Sequence, residues 1–372
     1  MSHVLELFLE LAAVPSPPGS ERAVADRVLA ELRDLGLDAT EDDAGDRIAG
    51  DTGNILARLP ASDPAAGGTP IFLCAHLDTV PPTDDIEPVV EDGVVRNARD
   101  TILGADDKSA VATMLAAARR IVEEGPPHAG IELLFTPKEE VGLEGAKEVD
   151  LESLESPVGF VYDHAGPIGE VVLAAPSSIS IDARFTGRAA HAGMHPEEGR
   201  SAIAAAAHAI ADLRLGRLDD ETTANVGVIA GGTARNIVPE HCTVVAEARS
   251  HDDRKLADLV QEMTDSFTFA ASVAECEVAI ELDDKYRAYR FRADDLPVRL
   301  AFEALAACGF EPRGVRAGGG ADGNVFTARG RPCVNIANGM TRIHSADEHI
   351  TVADLDAMVD VTLALVDAAR RA

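Results

Sequence analysis

The sequence predicts an α/β protein: a mostly parallel sheet flanked by helices, with a smaller α+β domain inserted in it. Three observations carry this reading. Up to about Pro176, apolar runs of strand length alternate with long helical patterns. Beyond Pro176 the strands crowd together and share only two helices. After about Arg290 the first texture returns. The large domain is therefore expected over 1–176 and 289–372, with the insertion over 177–288, and a chain of 372 residues has room for both.

Each element has a local reason. Val4–Val14 places apolar residues at helical spacing and stops at Pro15, Pro17, Pro18 and Gly19. Ser20 is an expected N-cap for a second helix through Leu35, closed by Gly36. Asn54–Leu59, Ile71–Ala75 and Val94–Asn97 read as short strands, and Ala61–Gly68 as a loop. An Ala-rich helix is expected from about Asp107 to Glu124, where Gly125-Pro126-Pro127 ends it. Ile131–Thr136 and Gly159–Asp163 are further apolar strands. In the insertion, strands are expected over Ser178–Phe185, Val226–Ala230, Cys242–Ser250 and Val278–Leu282, with helices over Ser201–Leu215 and 252–272. The last part should hold a helix over Asp295–Cys308, a strand over Cys333–Ala337 and a helix over Ala353–Arg370 with Thr351 as N-cap.

Composition excludes several function classes. Net charge is −31, from 33 Lys plus Arg against 64 Asp plus Glu. That surface repels nucleic acid and anionic membranes. No apolar run reaches the ~20 residues of a membrane span. Met1–Leu11 carries Glu6 and Glu10 and no basic stretch, so it does not read as a signal peptide. The cysteines (Cys74, Cys242, Cys276, Cys308, Cys333) are odd in number, scattered and without a CxxC pair, which suits buried thiols in a reducing cytoplasm. Acid excess with only five lysines and no Trp resembles proteins from a saline cytoplasm; an ordinary acidic protein from a GC-rich genome is the alternative.

Several constellations could carry chemistry. In Cys74-Ala75-His76-Leu77-Asp78-Thr79, His76 and Asp78 leave a strand's C-terminal end on one side, where open α/β sheets place ligand sites. An Asp beside a His can fix its tautomer and improve it as a metal ligand, though local hydrogen bonding accounts equally for the pair. Leu103-Gly104-Ala105-Asp106-Asp107-Lys108 opens the long helix, where carboxylates could simply cap N–H groups or could bridge two cations. Lys138-Glu139-Glu140 follows another strand, and adjacent glutamates there can divide the work of ligand and general base, or form a solvated acidic loop. Tyr162-Asp163-His164 ends a third strand, and Arg342-Ile343-His344-Ser345 lies near the C-terminus.

In this order, HLDTVP, LGADDKSA and PKEEVGLEGA resemble the M20 group of co-catalytic metallopeptidases, above all its peptidase T-like (tripeptidase-like) branch, over essentially the whole length. The resemblance implies two divalent metal ions, Zn²⁺ suiting the mixed ligands and Mn²⁺ or Co²⁺ being compatible. It implies His76 and Asp163 on one metal, Glu140 and His344 on the other, and Asp106 bridging both. Asp78 would orient His76, and Glu139 would be the general base. Within Gly187–Gly193, His191 would steady the oxyanion, from a neighbouring subunit. Asn236 and Arg249 would bind substrate, and the Gly318–Asn324 loop, with Gly319 and Asp322, would offer it backbone groups. The inserted domain would serve as a dimerisation and lid domain.

Charge arithmetic agrees with this implied set. Two divalent ions bring four positive charges against three ligand carboxylates, which leaves room for one hydroxide as nucleophile. The expected protein is thus a cytoplasmic, homodimeric metallo-aminopeptidase acting on short peptides. A deacylase or carboxypeptidase acting on N-acyl amino acids keeps the site and changes the substrate. A non-catalytic binding protein would need a damaged site, and every implied position is occupied.

Overall fold

The computed structural model describes every residue except Met1, Ala66 and Asp84. Ala66 belongs to the expected 61–68 loop, and at that position the expectation lies outside the described residues. The chain divides into two compact units, one of residues 1–174 with 290–372 and one of 175–289.

The larger unit opens with α1 (His3–Ala12) and α2 (Arg22–Asp34), then β1 (Asp38–Glu41), α3 (Ala44–Arg47), β2 (Ile55–Leu59), β3 (Ile71–His76), β4 (Pro88–Glu91) and β5 (Val94–Asn97). It continues with α4 (Ala105–Glu124), β6 (Ile131–Thr136), α5 (Glu144–Glu148), β7 (Val158–His164) and β8 (Glu170–Ala175). The sheet runs β1-β2-β6-β3-β7 and onward through β8 and strands of the C-terminal part. Its centre is parallel, β6 and β7 both running with β3, while β1 and β2 are antiparallel at one side. All six residues of β3 and of β6 are buried, as strands covered on both faces require. The fold is the expected α/β arrangement, a mostly parallel sheet flanked by helices.

The smaller unit holds β9 (Ser177–Thr186), α6 (Ala202–Asp212), β10 (Gly216–Arg217), β11 (Thr222–Gly231), β12 (His241–Ser250), α7 (Asp253–Val273) and β13 (Glu277–Tyr286). Its sheet, β10-β11-β12-β9-β13, is antiparallel throughout. Every second residue of β12 is buried, the period of a sheet covered on one face. Its own core includes Leu256, Val260, Met263 and Phe267, spaced as one face of α7.

The chain returns to the larger unit through β14 (Tyr289–Arg290), α8 (Leu296–Ala307), β15 (Arg313–Arg316), α9 (Asp322–Ala328), β16 (Cys333–Ala337), β17 (His349–Thr351) and α10 (Val352–Arg370). β16 pairs in parallel with β7, extending the parallel centre. β17, β5 and β4 form a separate small sheet. Thr351 caps α10, its hydroxyl accepting the Asp354 N–H at 3.0 Å.

Differences from expectation have local causes. Ser20 does not cap α2; Glu21 occupies the cap position. β1, β4, β15 and β17 are too short to show a hydrophobic period, and α9 is a seven-residue helix hidden behind a Gly-rich turn. α4 is buried on all sides from Ala105 to Ala118, so its small residues match a helix packed into the core. Gly159 on β7 is required by packing: a Cβ there would come within 2.0 Å of the Phe72 ring, which stacks edge-on against Phe326 at 5.3 Å. Among the described residues, no helix is long and apolar enough to cross a membrane.

Candidate metal centre

Five chain segments meet at the C-terminal ends of the parallel strands, the edge of an α/β sheet where ligands bind. β3 delivers His76, and Leu77–Thr79 continue from it. The entry to α4 delivers Asp106. The backbone turns at Gly104 (φ +76°), and Asp106 (φ −81°, ψ 105°) stands outside helical geometry, so its side chain is not committed to capping. The turn after β6 delivers Glu139 and Glu140, and β7 ends at Asp163 and His164. His344 comes from the segment before β17, at φ +62°.

Asp106 is the hub. Its Oδ1 lies 3.2 Å from His76 Nε2, and its Oδ2 lies 3.2 Å from His344 Nε2. His344 Nε2 also lies 3.1 Å from Glu140 Oε1. Ligand atoms of His76, Asp106 and Glu140 lie within 4.8 Å of one another, and so do those of His76, Glu139 and Asp163. The structure thus brings together His76, Asp106, Glu139, Glu140, Asp163 and His344. His349 instead faces the Asp347 carbonyl through Nδ1, at 2.8 Å.

Electrostatics sets the demand of the site. Burial opposes ionisation of Asp106, but hydrogen bonds with His344 and His76 hold its carboxyl below the usual range. Burial, with repulsion from neighbouring carboxylates, pushes Glu139 and Asp163 well above that range. Hydrogen bonds to Asp106 and Glu140 push His344 up to about 10. Among the described residues, no lysine or arginine pairs with any of these four carboxylates. Two imidazoles and four carboxylates, crowded and short of positive charge, fit divalent cations with mixed N/O ligation.

A ring of buried groups holds this set. His76 Nδ1 lies 2.9 Å from the Asp78 carbonyl and 3.5 Å from its Oδ1. Asp78, fully buried, also accepts the Glu139 N–H at 2.9 Å and the Glu140 N–H at 3.1 Å, so one carboxylate fixes the turn that presents both glutamates. Asp107 Oδ2 accepts the His76 backbone N–H at 3.3 Å. Glu348, 2 % exposed, accepts the N–H groups of Leu103 (2.8 Å), Gly104 (2.9 Å) and Asp106 (3.0 Å). Asn335 accepts the Asp163 N–H and donates to its carbonyl, locking the end of β7 to β16. Sequence reasoning missed Glu348 and Asn335, because neither has a spacing that distinguishes it from an ordinary acid or a strand amide.

The remaining predicted residues lie elsewhere. Gly319 is part of a turn in the larger unit. Asp322 begins the helix α9, where a loop was expected. It is 2 % exposed, and its Oδ2 accepts the Thr136 hydroxyl at 2.5 Å and faces the Cys74 thiol at 3.7 Å. Burial pushes it up to about 6. It heads α9 and turns its side chain into the sheet, toward Thr136 and Cys74.

In the smaller unit, His191 is exposed and its Nδ1 accepts the N–H groups of Gly193 (3.2 Å) and Met194 (3.1 Å). Those donors assign the proton to Nε2, which is left as a hydrogen-bond donor. The Asn236 carbonyl accepts the Ala192 N–H at 3.0 Å, tying the Asn236 loop to the His191 turn. Arg249, half-buried on β12, donates to Glu247 at 2.8 Å.

Comparison with known proteins agrees with this geometry. Residues 72–368 match the model of peptidase family M20/M25/M40. The Bacillus subtilis protein YqjE is 36 % identical over 99 % of this chain and 98 % of its own. The crystal structure of aminopeptidase PepT from Bacillus cereus is 37 % identical with a TM-score of 0.85, covering 99 % of this chain and 98 % of that one. A tripeptidase structure from Staphylococcus aureus is 33 % identical with a TM-score of 0.91, covering 100 % of this chain and 98 % of that one.

Proposed function

That this chain belongs to peptidase family M20/M25/M40 is the premise from which we propose its chemistry: a dinuclear metal-dependent aminopeptidase that cleaves short peptides, in the manner of the peptidase T and tripeptidase relatives. The observation that carries the reading is Asp106, whose two oxygens each face a different histidine. His76, Asp163 and Asp106 would hold one ion, and Glu140, His344 and Asp106 the other. Two such ions, Zn²⁺ by ligand type with Mn²⁺ or Co²⁺ compatible, supply Lewis acidity toward an amide carbonyl and acidify an attacking water.

The chain's own residues do the rest. Glu139 is buried, and its carboxylate carries no hydrogen bond among the described residues, so it is free to accept a proton from the attacking water and return it to the leaving amine. Asp78 keeps Glu139 aimed by holding its N–H. His191 Nε2–H serves as a donor to the oxygen that becomes negative during attack, and in a homodimer it would serve the partner's site. Asn236 and Arg249 would bind the peptide's polar ends, and Gly319 would lend backbone groups. The unit spanning the insertion, expected over 177–288, would then act as the dimerisation and lid domain. A cytoplasmic, saline setting accounts for the acid excess.

The test is direct. His76→Ala should lose metal and activity together. Glu139→Ala should keep both metals and lose turnover by about 10²–10⁴-fold, the span of general acid–base contributions. Near-normal turnover in E139A rules out the base assignment. Cleavage of Ala-Ala-Ala without cleavage of N-acetyl amino acids separates the aminopeptidase from the N-acyl alternative.

A further inference from the structure

Glu21 is fully buried, although it stands at the cap position of α2. A capping side chain ordinarily accepts N–H groups of its own helix, and that of Glu21 makes no such bond. It reaches outward instead. Oε1 accepts the Gly19 N–H at 2.8 Å and the Lys138 N–H at 3.0 Å, the latter 117 residues along the chain. Oε2 is buried without a hydrogen-bond partner among the described residues.

Lys138 is the residue before Glu139, and it holds φ +55°. A side chain in that left-handed region costs energy and persists only when its surroundings fix it. The ammonium of Lys138 donates to the Ile48 carbonyl. The next two N–H groups, of Glu139 and Glu140, go to Asp78. Three consecutive backbone N–H groups are therefore held by two carboxylates from outside the turn, and Glu21 holds the one at the strained residue.

We infer that Glu21 is a positioning residue for hydrolysis: by gripping the Lys138 N–H it fixes the left-handed turn that aims the Glu139 carboxylate. The inference rests on the reading of Glu139 as the base. What it requires of Glu21 is an oxygen at the place of Oε1, not a negative charge, because Oε2 has no partner.

The experiment uses the full chain loaded with Zn²⁺ and Ala-Ala-Ala as substrate. It compares Glu21→Asp, Glu21→Gln and Glu139→Ala for kcat, KM, bound metal and melting temperature. Aspartate withdraws the oxygen from Lys138 by about one C–C bond, roughly 1.5 Å. Its kcat should fall about 10–100-fold, the cost of misplacing a reacting group by this much. KM should stay within about threefold, as for an interaction used only in the transition state. Metal content should equal that of the parent enzyme. Glutamine can place its carbonyl oxygen where Oε1 stands, so E21Q should retain most of the turnover. Three outcomes overturn the inference: a folded E21D with parental kcat, an E21Q that falls as far as E21D, or metal lost in step with kcat. If E21D does not fold, E21Q decides alone, retention supporting the inference and loss overturning it. Near-parental turnover in E139A overturns both readings, whereas an inactive E139A beside an active E21D overturns only this one.

Discussion

Replacing Glu348 by Gln perturbs Asp106, the proposed bridging carboxylate, without altering any of the proposed ligands. Glu348 Oε2 accepts the N–H groups of Leu103 and Gly104, and Oε1 accepts that of Asp106. Glutamine has one carbonyl oxygen, so an NH₂ group must face donors on one side. The smaller loss leaves the Asp106 N–H alone without an acceptor. A buried N–H without a partner costs about 1–3 kcal/mol. In a large unit such as this one, each kcal/mol lowers the melting temperature by about 2–4 °C, so the metal-free variant should melt roughly 2–12 °C lower. The freed N–H belongs to Asp106, so metal affinity should drop as well, by about 10–100-fold as for other supporting partners of ligands. Thermal unfolding of the metal-free protein reads the first effect, and chelator competition for Zn²⁺ reads the second. An E348Q variant that melts with the parent and binds Zn²⁺ equally would refute the reasoning, since these N–H groups would then not depend on the carboxylate.

Three further outcomes are expected. Gly159→Ala should destabilise the larger unit by about 1–3 kcal/mol or more, because the added methyl meets the Phe72 ring; an unchanged urea midpoint contradicts that packing. Burial pushes Glu21 up to about 7 from its ordinary 4.5, so the folded state binds the extra proton between those pH values. Stability contributed at Glu21 therefore falls as pH rises from 4.5 through 7, and the deficit is full above 7. E21Q should melt above the parent at pH 8, and the gap should close toward pH 4.5; a gap that widens on acidification contradicts the sign. Finally, with a net charge of −31, stability and activity should rise in molar KCl as self-repulsion is screened; full folding and equal activity without added salt removes the saline reading.

The parts legible in sequence share a physical cause. β3, β6 and β7 are mainly apolar because both faces are covered, Glu132 on β6 being an exception, and polar residues gather at or just past their C-terminal ends. The strand ends, and hence His76, Glu139 and Asp163, could be located from that contrast alone. α4 was legible from its small apolar residues and its Gly-Pro-Pro stop. Glu21 and Glu348 were not, because their partners lie 117 and about 245 residues away and are backbone N–H groups, which have no sequence signature. The helical placement of Asp322 was not legible, because a Gly-rich stretch reads as an exposed loop, whereas here it leads into α9 and a buried carboxylate. The short strands β1, β4 and β15 lack enough residues to display a period.

The smaller unit enters after β8 and leaves through β14, and these strands are neighbours in the sheet of the larger unit. The Phe291 N–H donates to the Leu173 carbonyl at 2.7 Å, so the two ends of the insertion are held almost together. While folded, Ala175–Tyr289 behaves toward the larger unit as a short, rigid connection. Melted, it becomes a free loop of about 115 residues. Each doubling of loop length adds about 0.6 kcal/mol of closure entropy, so relative to a tight connection of about seven residues the melted insertion costs the larger unit roughly 2–3 kcal/mol. The two units are therefore thermodynamically linked through chain connectivity alone, and denaturing the insertion should loosen a metal centre to which its backbone contributes no strand.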